Sequence, residues 1–148
     1  MNLVKQTQNV DFYSALTDTE LELPFIKGGI SAGFPSPAED FTDSVIDLNK
    51  ELIDNKFSTF FGRVKGNSMQ DLGIHDGDIM IIDKSIAPQN GKIAICYIDG
   101  EFTVKKIKID KEACYLMPAN SDYKPIKVTE ENDFLIWGIV TYVIKKFK

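Results

Sequence analysis

From Phe57 onward the chain alternates short apolar runs with turn residues, a rhythm that predicts strands. The runs cover residues 57–65, 78–83, 92–98, 101–109, 113–117 and 134–146. Between them stand Gly77, Pro88, Asn90-Gly91, Asp99-Gly100 and Pro118, residue types that turns favour. Asp99-Gly100 is a two-residue hairpin signal that would pair 92–98 with 101–109. The last run is long and apolar enough to close the sheet system or to meet a second subunit. One helix is predicted over Asp47–Ile53, where Leu48, Leu52 and Ile53 recur at helical spacing behind Asp47 as a cap. Residues 1–30 are polar and weakly patterned, with Phe12, Tyr13, Leu16 and Leu21 among scattered apolar anchors. Leu21–Phe25 alternates like a short extended piece, and Pro24 suits an edge or unpaired position. The pattern therefore predicts a mainly β domain with one short helix and an extended N-terminal arm.

Composition narrows the function classes. At 148 residues and 43% hydrophobic content the chain can bury one sizeable core. Its net charge of -5 argues against a nucleic-acid surface, so direct nucleic-acid binding is not expected. No apolar run approaches the roughly 20 residues that span a bilayer, and the first residues lack the basic start and apolar stretch of a secretory signal. A cytoplasmic location without membrane attachment is the expectation. Cys96 and Cys114 sit in apolar strand-like segments without metal-ligand spacing and read as buried free thiols. No metal or cofactor is expected.

Candidate chemistry centres on Val64-Lys65-Gly66-Asn67-Ser68-Met69, a strand end followed by a turn that lifts the Ser68 hydroxyl clear. A serine needs a base to take its proton. The single histidine, His75, lies in the turn-like stretch Gly73–Asp78, where a histidine is more often solvated than catalytic. A lysine moved out of water also loses its proton more easily. In Glu101–Ile109 strand alternation aligns Lys105 with Ile107 and Ile109, and Lys106 with Lys108 and Asp110. Phe102 and Val104 share the parity of Lys106, however, so the pattern leaves both lysines open as the base. A lysine-laced edge strand with no chemistry is equally compatible.

Gly66-Asn67-Ser68-Met69, Asp76-Gly77-Asp78 and Asp99–Lys106 together resemble the UmuD branch of the LexA/UmuD self-cleaving serine peptidases. Ala32-Gly33-Phe34-Pro35-Ser36-Pro37-Ala38 is similar to the segment around that branch's cleaved bond. The resemblance runs in order from about Gly33 to the end of the chain. It implies a compact LexA/UmuD-type β-barrel-like peptidase fold, Ser68 as nucleophile, Lys105 as general base and Ala32-Gly33 as the scissile bond. Residues 1–33 would then be an arm carrying the cleavage site, and 34–148 the peptidase and dimerisation domain. From the turn itself, the backbone N–H groups near Ser68 and Met69 are candidates for holding the oxyanion. Ala32 stands where enterobacterial members of the branch carry cysteine; both side chains are small, so the cut should survive.

The resemblance further implies a homodimer, stimulation of cleavage by RecA assembled on single-stranded DNA, and a UmuC-type translesion polymerase as partner of the trimmed product. The N-terminal region is too short for a helix-turn-helix domain, which favours UmuD over a repressor. Two other readings stand beside it. One is a LexA-like repressor descendant without its DNA-binding half, and the other a non-catalytic β-rich interaction module.

Overall fold

In the computed structural model, residues 2–20, 22–25, 44–119 and 122–147 are described. The chain divides into two compact units, residues 1–15 with 55–148, and residues 16–54. The larger unit is built on one antiparallel sheet of nine strands. In chain order these are β1 (Asn2–Gln6), β2 (Val10–Ser14), β5 (Thr59–Val64), β6 (Ile79–Asp83), β7 (Ile93–Ile98), β8 (Glu101–Ile109), β9 (Cys114–Met117), β10 (Ile126–Val128) and β11 (Phe134–Ile144). Across the sheet the order is β1-β2-β5-β6-β11-β7-β8-β9-β10. The smaller unit pairs β3 (Glu22–Phe25) with β4 (Ser44–Asp47) and adds helix α1 (Leu48–Leu52). Asp47 caps α1 by accepting a hydrogen bond from the Asn49 N–H at 3.0 Å, as the sequence predicts.

The predicted hairpin forms where Asp99-Gly100 places it, with Ile98 opposite Glu101. Both turn residues take positive φ, 48° at Asp99 and 91° at Gly100, the geometry that matches the twist of the flanking strands. Strands β1 and β2 arise in the weakly patterned N-terminal stretch and were not foreseen. Val10 and Phe12 nevertheless point inward from β2 and are almost wholly buried, because β2 pairs along its whole length with β5. β10 was also missed; at three residues it is too short to show a period.

Two apolar clusters lie on opposite faces of the sheet. One gathers Val10, Phe12, Val64, Met69, Met80, Ile82, Ile95 and Val104; the other gathers Ala94, Cys96, Ile107, Leu116 and Ile139. Neighbours in sequence such as Ala94 and Ile95 belong to different clusters, so β7 and β8 are buried on both faces. This is why their apolar positions do not alternate cleanly.

β11 is central: its first half pairs with β7 and its second half with β6. Its register slips between Ile136 and Gly138, and Gly138 lies so close to β6 that an added Cβ would sit 2.6 Å from Ile82 Cγ2. Gly138→Ala is therefore expected to strain the core by about 1–3 kcal/mol. Thermal melting should show this as a fall of about 2–4 °C per kcal/mol; an unchanged midpoint would mean that β6 gives way freely.

Candidate active site

β5 ends at Val64, whose N–H donates to Asp78 O at 2.9 Å and whose carbonyl accepts from the Gly77 N–H at 2.8 Å. The Lys65 N–H donates to Asn9 O at 2.8 Å. With the strand end pinned from both sides, Gly66 turns the chain at φ 90°, a region that other residues rarely adopt, and its N–H is held by Asp76 Oδ1 at 2.9 Å. A short 3-10 turn at Gln70–Leu72 follows. Between these two features sit Asn67, Ser68 and Met69. The Met69 side chain is buried in the core and anchors the turn from below, while Tyr123 donates its hydroxyl to Asn67 Oδ1 at 3.2 Å. Ser68 is left partly exposed at the surface of a rigid loop.

Lys105 lies within β8, opposite Ala94 of β7. It is only 6% exposed, whereas Lys106 is exposed. Burial separates the two lysines that periodicity could not. It also pushes the Lys105 amine below its usual 10.5, because an ammonium loses its hydration there. The Cys96 thiolate would act in the opposite direction. Burial, with the neighbouring Cys114, pushes that thiol up to about 12 despite the attraction of Lys105, so Cys96 stays neutral and offers no counter-charge. The Tyr123 ring presents its face to Lys105 Nζ, with the ring centroid 5.7 Å away.

Ser68 and Lys105 line one cleft of about 330 Å³, together with Asn9, Thr103 and Tyr123. The hydrogen bonds among the described residues do not include one joining the hydroxyl to the amine. The N–H groups of Ser68 and Met69 donate to no backbone carbonyl among those residues, and Ser68 but not Met69 is among the residues that line the cleft. Ala32 and Gly33 lie outside the described residues.

His75 is exposed, does not line this cleft, and its Nδ1 meets Lys145 Nζ at 3.1 Å. The description of a solvated turn histidine fits it. Among the described residues no group of three or more His, Cys, Asp or Glu could hold a metal, and no helix is long and apolar enough to cross a membrane. Asn9 and Tyr123 were missed from sequence. Each sits in a connection, where no periodic signal marks a residue as facing the cleft.

Comparison with known proteins gives a family match described as Peptidase S24-like over residues 24–141. The chain is 39% identical over 121 residues to protein MucA of Salmonella typhimurium, covering 81% of this chain and 82% of that one. It is 45% identical over 115 residues to protein SamA of the same organism, covering 78% and 79%. It is also 37% identical over 124 residues to the LexA repressor of Stenotrophomonas maltophilia, covering 84% of this chain and 58% of the repressor.

Proposed function

Because the chain belongs to the Peptidase S24-like family, we propose that it is a UmuD-like peptidase that cuts its own backbone between Ala32 and Gly33. Neutral Lys105 takes the proton of Ser68, and the alkoxide adds to the Ala32 carbonyl. The N–H groups of Ser68 and Met69 receive the developing oxyanion. Collapse breaks the Ala32–Gly33 C–N bond while the Lys105 ammonium returns its proton to the departing Gly33 amine. Water, deprotonated by Lys105, then hydrolyses the acyl ester and frees Ser68. The observation that carries this reading is that a partly exposed serine and a buried, charge-starved lysine line the same cleft.

On this reading residues 1–33 are the arm with the cleavage site and 34–148 the peptidase and dimerisation domain. The partners are those that the sequence resemblance implies: a second copy, the RecA filament on single-stranded DNA as stimulus, and a UmuC-type polymerase that receives the trimmed product in translesion synthesis. The setting is the cytoplasm. Intact-mass measurement after alkaline incubation tests the cut: a product beginning at Gly33 supports it, and a chain that stays whole, or is cut elsewhere, removes it. The identity to a LexA repressor favours a second reading, a repressor descendant that regulates by cleavage. Copurification of a UmuC-type polymerase with the Gly33 product separates the two.

A further inference from the structure

The turn between β1 and β2 is tied to the chain just past the end of β5, before Ser68, and to β8, which carries Lys105. Asn9 O accepts from the Lys65 N–H at 2.8 Å, three residues before Ser68. Asn9 Nδ2 donates to Phe102 O at 2.8 Å, three residues before Lys105. The turn itself is stiff. Thr7 Oγ1 donates to Val10 O at 2.7 Å and accepts from the Val10 N–H at 3.1 Å. Lys65 Nζ donates to Thr7 O at 2.9 Å. The same amine pairs with the Asp11 carboxylate, at 2.6 Å from Oδ1. Behind the turn, Val10 and Phe12 fix it to the core. Gln8 and Asn9 thus form one wall of the cleft that holds Ser68 and Lys105.

We propose that Asn9 is a positioning residue for self-cleavage: its main-chain carbonyl and side-chain amide hold the Ser68 strand end and the Lys105 strand to one turn, which closes the cleft over the amine. The inference rests on the Ser68-Lys105 reading above. It also places a piece of the active-site wall on the N-terminal side of the Ala32-Gly33 bond, so the reaction cuts the covalent link between that wall and the rest of the site.

Removing the Asn9 side chain leaves the Lys65 bond in place but frees Phe102 and admits water beside Lys105. Among the described residues, the charged and titratable groups around the amine are the Cys96 thiol of β7, the Tyr123 phenol, and Lys65, Glu101 and Lys124 along the cleft. Glu101 is the one acid among these cleft-lining residues, and what lowers the pKa of the amine is chiefly that water is kept from it. Opening the wall must favour its charged form.

The test measures self-cleavage against pH for the wild type, Asn9→Ala and Asn9→Leu, with a thermal melt of each. The leucine keeps about the size of the side chain, removes the donor and adds no charge beside Lys105, which covers the case in which the alanine variant fails to fold. Both variants are expected to melt cooperatively and to need a pH about one unit higher for half-maximal rate. That makes them about tenfold slower near neutrality, with the gap narrowing as pH rises. A wild-type rate and midpoint would overturn the inference, as would a slower rate with an unmoved midpoint, the mark of a merely structural role. In a Ser68→Ala background, NMR titration of the Lys105 amine reads the same shift without any cutting. An unmoved amine there overturns the inference about Asn9, whereas a moved amine in a protein whose wild type never cuts overturns the proposed function alone.

Discussion

Ser68→Ala and Lys105→Ala are each expected to suppress the fragment that begins at Gly33 by roughly 10³-fold or more, since either change removes a group without which the other does nothing. In the wild type the rate should climb as pH rises through the folded-state pKa of Lys105 and level off above it. That midpoint lies below the usual 10.5, because burial strips the ammonium of its hydration. Stability carries the same signature. Between the folded pKa and 10.5 the unfolded chain holds a proton that the folded chain has shed, so stability rises with pH across this window. Below it the folded protein bears the full penalty of a buried ammonium. Lys105→Met, which fills the same space without charge, is therefore expected to melt above the wild type at neutral pH, with the difference closing toward pH 10.5. Melting curves of both proteins over a pH series check this. A variant less stable than the wild type at neutral pH would mean that the amine has a stabilising partner, and a fragment undiminished in the two alanine variants would end the case for the dyad.

The parts of the molecule that were legible in sequence are those where local chemistry and tertiary environment agree. Asp99-Gly100 demanded a turn that only residues tolerant of positive φ can make, and the hairpin followed. Asp47 announced α1 because a carboxylate beside free N–H groups is a local event. Lys105 against Lys106 could not be separated by pattern, since β8 is covered on both faces and neighbouring positions Val104 and Lys105 are both buried. The β1–β2 hairpin was hidden for a different reason: β1 is exposed along its whole length and only Val10 and Phe12 carry its partner strand into the core. Leu3 and Val4 are apolar but exposed, so the apolar positions of this stretch set no single period. Asn9 then acquires its place from that hairpin, which is why a cleft residue went unnoticed in a polar stretch.

Phe12→Ala is expected to destabilise the fold by about 3–5 kcal/mol, the range for deleting a buried aromatic ring. The ring is only 2% exposed and packs at 5.1 Å from Phe102 and 4.7 Å from Trp137. Tilted and edge-on pairs of this kind each add about 0.5–1.5 kcal/mol beyond burial. The melting midpoint should fall by about 6–20 °C, whereas Phe147→Ala, at a position 93% exposed, should leave it nearly unchanged. A Phe12→Ala midpoint close to that of Phe147→Ala would show that β2 contributes little to the core. The size of the effect bears on what the proposed self-cleavage would release. β2 is joined to β5 through five residue pairs and to the core through Val10 and Phe12. Cutting at Ala32-Gly33 removes none of these contacts, so the severed N-terminal piece is expected to travel with the body on a native sizing column and to separate in denaturant. In Phe12→Ala the same piece should dissociate under native conditions, and a wild-type piece that leaves at once would show that the ladder to β5 is too weak to hold it.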